Sequence, residues 1–155
     1  MTDLRVGVVD VYAIRPACTP WQVLTLKRAA EGTRCPNAWE TVAGRMEPDE
    51  RPDVAALREL HEETGLVPER LYSITVQPFW LHRTDTVQLA VVFAAFVAEP
   101  GAITLGPEHQ AYEWLPVDAA RARFAWPRER ATLDQILQLL GGGDAGPLED
   151  VLRVR

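Results

Sequence analysis

Only two cysteines, Cys18 and Cys35, occur in 155 residues. They make no C-x-x-C pair and no zinc set, and nothing in their spacing supports a disulfide; they read as thiols of a reducing cytoplasm. No apolar run approaches the ~18 residues of a membrane span. Leu89 to Ala98, about ten long, reads as a buried strand. The start, Met1-Thr2-Asp3-Leu4-Arg5, lacks the basic and apolar regions of a secretory signal. These gaps predict a cytoplasmic protein with no membrane partner. Positive charge is not in excess either. The formal charge of −6 argues against a nucleic-acid polymer or an anionic membrane as the main partner. It leaves room for a nucleotide-sized substrate, because divalent cations can supply local positive charge. Repeats and low-complexity tracts are absent. Gly141-Gly142-Gly143 is not followed by the Lys-Ser/Thr that a phosphate-binding loop needs, so it reads as a helix stop.

What is present is ordinary in bulk: 47% hydrophobic and 25% charged residues, enough chain for one core. The expectation is a single domain over 1–141 with a C-terminal tail over 142–155. Arg5 to Ile14 and Trp21 to Leu26 read as strands around a Pro16-to-Pro20 turn, followed by a polar loop from Lys27 to Pro36. Trp39 to Val42 is a short strand. Pro52 to Thr64 reads as a helix with proline in its first turn and Gly65 at its end. Tyr72 to Trp80 and Thr86 to Val97 read as an antiparallel pair, and Ala111 to Leu115 as another strand. Val117 to Arg123 and Pro127 to Leu140 are helical, the second with Leu133, Ile136, Leu137 and Leu140 on one side. The tail from Asp144 is expected to be mobile or to dock on a partner subunit, and the sequence is compatible with a homodimer. Strands first, a central helix and a terminal helix predict an α+β fold, a mixed sheet flanked by helices.

The informative stretch runs from Gly44 to Leu66. It places Glu50 in a loop, then Arg58, Glu59, Glu62 and Glu63 on the helix that Gly65 ends. Glu59, Glu62 and Glu63 share one helix face, with Val54, Leu57, Leu60 and Thr64 opposite and available to pack on a sheet. Like charges at i, i+4 repel, and acids near a helix C-terminus oppose its dipole. Arg58 offers the one internal relief. Conflicts of this kind mark functional sites, and a hard divalent cation with oxygen ligands would resolve this one. The competing reading is a solvated face of an amphipathic helix.

Gly44 to Leu66 resembles the Nudix box, G-x5-E-x7-R-E-U-x-E-E-x-G-U with U aliphatic, at every specified position. The usual second glycine is replaced by Arg45. The resemblance implies an α/β/α sandwich and hydrolysis of a phosphoanhydride with Mg²⁺, or Mn²⁺ as a substitute. It implies Glu59 and Glu63 as primary metal ligands, Glu62 assisting and the Gly44 carbonyl as a further ligand. Arg58 would orient Glu59 or Glu50, against the alternative of a simple i, i+4 surface pair. In-line attack needs neutralised phosphate charge and a route for the water's proton, which Glu59 or Glu62 could provide.

Glu108-His109-Gln110-Ala111-Tyr112-Glu113-Trp114-Leu115 resembles the E-H-x-x-Y-x-W-L segment of the dihydroneopterin triphosphate pyrophosphatase branch. Trp39, Ala55-Ala56 and Trp126 fit that branch loosely. By this resemblance Glu108 reaches across the site to bind metal and help activate water; otherwise it is a loop carboxylate in solvent. His109 would bind substrate or orient Glu108. His61 reads as exposed, and His82 receives no role. Lys27 and Arg28 either meet phosphates or line a solvated loop entrance. One of Trp39, Trp80, Trp114 and Trp126 could stack a heterocycle, Trp39 being the choice for substrate binding, though a tryptophan also serves a core. The expected function is a pyrophosphohydrolase of a small phosphoanhydride. Dihydroneopterin triphosphate comes first, then dATP or an oxidised dNTP, each giving a monophosphate plus pyrophosphate. The alternative is a non-catalytic sensor of a nucleotide derivative, a class expected to have lost box acids.

Overall fold

The computed structural model describes residues 1–98 and 102–155. Val, Ile and Ala dominate β1 (Asp3–Arg15), which forms the spine of a seven-stranded mixed sheet. One flank of β1 runs parallel to β6 (Thr86–Phe96), which pairs antiparallel with β5 (Arg70–Leu81). On the other flank, its first half pairs with β4 (Val42–Arg45) and its end with β2 (Gln22–Arg28). β2 also carries β3 (Trp39–Glu40) and β7 (His109–Pro116).

Period-2 alternation divides β1 between two cores. Val9, Val11 and Ala13 pack with Ala55, Ala56 and Leu60 of α1 (Pro52–Thr64). Tyr12 and Ile14 face the other way, against Ala120 of α2 (Val117–Arg123) and Leu133, Ile136 and Leu140 of α3 (Pro127–Leu140). Val92 to Val97 are buried throughout, as a strand covered on both faces requires. The result is the expected α+β fold, an α/β/α sandwich.

Several boundaries differ from the sequence reading, each for a local reason. Lys27 and Arg28 belong to β2 and not to the loop, because they pair with Trp39 and with Ala111 and His109. The Trp39 to Val42 strand breaks at Thr41, whose N–H is drawn 2.6 Å from Glu129 Oε2 while its hydroxyl donates to the Val11 carbonyl. Val54 is 51% exposed, and Glu59 and Glu63 are buried beside Leu60 and Thr64, so the acids do not lie opposite the packed face. Small Ala55 and Ala56 let α1 settle on the sheet rotated toward its carboxylates. Leu137 is exposed on α3, where Glu129 and Thr132 take buried positions.

The tail docks on its own chain. A 3-10 turn (Gly146–Leu148) and a short helix α4 (Glu149–Leu152) lead it back along β5. The N–H of Val154 donates to the Leu71 carbonyl at 2.8 Å, and the Tyr72 hydroxyl donates to Glu149 at 2.6 Å. No helix among the described residues is long and apolar enough to cross a membrane. Cys18 and Cys35 form no disulfide.

Candidate active site

The loop between β4 and α1 brings a backbone and a carboxylate into contact. A Cβ at Gly44 would collide with the carboxylate of Glu59 and push it aside, so glycine lets that carboxylate lie against the loop backbone. Gly65, at φ 77°, ends α1 with its N–H on the His61 carbonyl. Arg58 then ties loop to helix. Its Nε and Nη2 donate to the two oxygens of Glu50 at 2.8 and 2.9 Å, a bidentate pair. Nη1 donates to Glu59 at 2.8 Å and to Glu62 at 3.2 Å, and Nη2 also to the Arg45 carbonyl at 3.0 Å. Those five bonds use the full donor set of a guanidinium. Arg58 therefore orients both Glu50 and Glu59. The Arg58 hydrogen bonds, with the Glu47 N–H, hold the Glu50 carboxyl down at about 2.

Glu63 is in the opposite condition. It is 7% exposed and its Oε2 has no partner; the carboxyl receives only the Ala43 N–H. Burial first, then the neighbouring carboxylates of Glu59, Glu108 and Glu40, push it up to about 9. Burial also raises Glu59, against the pull of Arg58. Glu59, Glu62, Glu63 and Glu108 line one cleft of about 150 Å³ with Gly106, Pro107 and His109. Folding thus brings Glu108, 45 residues beyond Glu63 in the chain, to the same opening.

Such a set of hard oxygen donors suits Mg²⁺ or Mn²⁺, which take carboxylates, carbonyls and water. The orphaned Glu63 oxygen is the observation that fits it: a buried acceptor without a donor is costly, and a cation satisfies it. Among the described residues, no three His, Cys, Asp or Glu side chains already stand in metal-holding geometry. Arg58 accounts for this, since it draws Glu59 and the exposed Glu62 toward itself.

Lys27, Arg28 and Trp39 are not among the residues lining that cleft. Lys27 pairs in register with Trp39, whose ring faces the Arg123 guanidinium at 4.5 Å. Arg28 donates to Glu40 at 2.8 Å and to the Arg34 carbonyl. His109 is buried on β7, with Nε2 3.0 Å from Glu40, so it orients Glu40 rather than Glu108.

Two polar groups had no place in the sequence reading. Glu40 accepts from Arg28 and His109 at the back of the cleft and adds to the negative potential on Glu63. Asp10 is fully buried with both oxygens lacking hydrogen bonds, 3.5 Å from Arg128 Nε. The Arg128 guanidinium lies over the rings of Phe79 and Trp126, 5.2 Å from each. Beside it, burial pushes Glu129 up to about 8. One signal was available: Asp10 interrupts an otherwise apolar strand, Val8-Val9-Asp10-Val11.

Comparison with known proteins adds the lineage. The chain is 36% identical over 97 residues to an octanoyltransferase of Myxococcus xanthus, covering 61% of this chain and 27% of that protein. It is 44% identical over 45 residues to an RNA pyrophosphohydrolase of Xylella fastidiosa, covering 29% and 24%. The matches thus span about a quarter of the length of these curated relatives. The dihydroneopterin triphosphate pyrophosphohydrolase of E. coli superposes with a TM-score of 0.72 at 22% identity, over 89% of this chain and 99% of that one, a likeness of fold. The model of the NUDIX domain matches residues 1–136. With that match over most of its length and the box filled from Gly44 to Leu66, the chain belongs to the Nudix family.

Proposed function

We propose that this protein is a divalent-metal-dependent pyrophosphohydrolase that cuts a phosphoanhydride bond in a small substrate. The observation that carries the proposal is the buried, unpartnered Glu63 in a cleft shared with Glu59, Glu62 and Glu108. Mg²⁺ or Mn²⁺ bound there would neutralise phosphate charge and favour a nucleophilic hydroxide. Glu59, Glu63 and the Gly44 carbonyl would hold it, with Glu62 and Glu108 completing the set on the open side. Arg58 is assigned as a positioning residue, because its N–H groups are occupied by Glu50, Glu59, Glu62 and the Arg45 carbonyl. Glu108, exposed at the mouth, and Glu62 are assigned to take a proton from the attacking water, with Glu59 the further choice. Of the residues assigned to substrate binding, Lys27 has an ammonium with no partner among the described residues. Arg28 is assigned to hold Glu40, and Trp39 offers a ring beside Lys27.

Dihydroneopterin triphosphate is the first substrate proposed, followed by dATP or an oxidised dNTP; the products are a monophosphate and pyrophosphate. The E-H-x-x-Y-x-W-L segment and the fold likeness to the E. coli enzyme support that order. The likeness to an RNA pyrophosphohydrolase adds RNA to the panel. The test is a screen over pterin, nucleoside and dinucleoside polyphosphates in which substrate and products are separated by ion-exchange chromatography, a readout that itself needs no metal. Turnover should require Mg²⁺ or Mn²⁺ and rise toward alkaline pH. Undiminished turnover in excess EDTA would overturn the metal mechanism. Tight binding without turnover of any panel member would favour the sensor reading.

A further inference from the structure

Most of the arginines in this protein are matched. Of its fifteen arginines, eleven make a side-chain hydrogen bond or ion pair. Among the described residues, Arg34, Arg45, Arg83 and the last residue, Arg155, have none. Three of these four line one cavity. It measures about 360 Å³ and lies between the β2–β3 loop, the end of β4 and the β5–β6 hairpin. Arg34 and Cys35 come from the loop, Arg45 from β4, and Leu81, His82, Arg83 and Thr84 from the hairpin. Among the described residues, no carboxylate lines it. Asp85, the next residue on the hairpin, accepts instead from Trp80 Nε1 at 3.1 Å and Thr2 Oγ1 at 2.8 Å.

In a chain of net charge −6 with many available acids, three arginines converging without a counter-ion break the local electrostatic rule. Guanidinium groups are the side chains best matched to phosphate oxygens, through paired N–H donors. The position is also informative. Arg45 directly follows Gly44, and its carbonyl accepts from Arg58, so the cavity begins one residue from the acidic cleft. β4 pairs only with β1, which leaves its other edge open to a ligand extending past it. Arg28 fixes the loop from behind through the Arg34 carbonyl, so the loop is held in place.

We propose that the cavity lined by Arg34, Arg45, His82 and Arg83 is a second anion site, which binds a phosphate-bearing group separate from the phosphoanhydride that is cut. The source of that group is either the distal end of the substrate, as in a dinucleoside polyphosphate, or a free phosphate or pyrophosphate ion. The site stands on its own geometry; only the first source rests on the hydrolase reading.

The test is calorimetric titration of the full-length protein with inorganic pyrophosphate in EDTA at low ionic strength, where the acidic cleft repels the probe. Wild type should bind saturably, and Arg34→Gln/Arg83→Gln should weaken binding at least tenfold. Arg34→Lys/Arg83→Lys should keep most of it, and Glu63→Gln should leave it unchanged. Absence of saturable binding, equal binding by the double glutamine variant, or loss in Glu63→Gln would overturn the proposal. Because this arm contains no metal and no turnover, it can succeed even if the hydrolase reading fails. Kinetics then separates the sources. A substrate-borne phosphate predicts a KM raised about tenfold by the glutamine variant only for substrates with a distal phosphate, with kcat kept. A free ion predicts pyrophosphate effects in wild type that are common to all substrates and absent from the variant.

Discussion

Two carboxylates of the box, Glu50 and Glu63, sit on either side of Arg58 in sequence and meet opposite electrostatic fates. Glu50 takes two guanidinium bonds and a backbone N–H, and its carboxyl is held down at about 2. Glu63 is buried among other carboxylates with one oxygen unpartnered, and is pushed up to about 9. The same helix and loop therefore contain a finished part and an unfinished part. The finished part, centred on Arg58, fixes the path of the loop. The unfinished part lacks positive charge, and a divalent cation would complete it. We assign stability to the first and function to the second.

The largest effect should come from breaking the unfinished part. Glu63→Gln should cut kcat at least a hundredfold, on the order of 3 kcal/mol of transition-state stabilisation. The metal-free protein should become more stable, because a neutral amide replaces a carboxyl that must stay protonated to remain buried at pH 7 while the unfolded chain releases that proton, an effect on the order of 3 kcal/mol. Thermal denaturation in EDTA alongside steady-state kinetics checks both directions. A variant with near-normal kcat would return Glu63 to the role of a structural acid.

Next comes the contribution from across the cleft. Glu108→Gln should lower kcat by about 10–100-fold with KM within a few-fold, as expected for a group acting on the reacting water or the metal. Glu113 on β7 is the internal control. It pairs with Arg123 at 2.8 Å on the surface, and Glu113→Gln should leave kcat unchanged. Equal losses at the two positions would remove Glu108 from the chemistry.

Gly44→Ala should act through geometry alone. The added methyl group displaces the Glu59 carboxylate, and kcat should fall by about tenfold while the circular dichroism spectrum is kept. An alanine variant of wild-type activity would mean that the Glu59 position is not critical.

The last effect is a slope, and it leaves activity aside. Glu63 and Glu129 hold protons in the folded state up to about 9 and about 8, whereas the unfolded chain releases them near 4.5. The folded state thus binds more protons across this window. Their contribution is fully present below about pH 4.5 and is lost as pH rises through 8 to 9, by at most about 1.4 kcal/mol per pH unit per group. Glu129→Gln should flatten the slope of metal-free stability between pH 5 and 8, measured by urea denaturation. An unchanged slope would contradict the burial argument for Glu129.

The contrast between finished and unfinished parts was only half legible in the sequence. The span of α1 was read to the residue, because Pro52 and Gly65 mark its ends chemically. The acids were found from their spacing, and the face they occupy was not. A helical wheel treats Val54 as core by its hydropathy, but the small side chains of Ala55 and Ala56 decide how the helix sits. The partners of Arg58 were legible because they lie within one turn or in the adjoining loop. Glu40, 69 residues from its bonding partner His109, was not, since the β2–β3 and β2–β7 pairings together bring them into contact. The docking of the tail on its own β5 was not legible for the same reason: Tyr72 and Glu149 are 77 residues apart, and the pattern of neither segment announces the other.

The central claim is that Glu63 is left incomplete so that a divalent cation can complete the site. Calorimetric titration of Mn²⁺ into wild type and Glu63→Gln, in two buffers of different ionisation enthalpy, measures this directly. The account predicts saturable binding by wild type with release of a proton as Glu63 ionises. It predicts at least tenfold weaker binding by Glu63→Gln, with that proton missing. Equal affinity and equal proton release in the two proteins would contradict it.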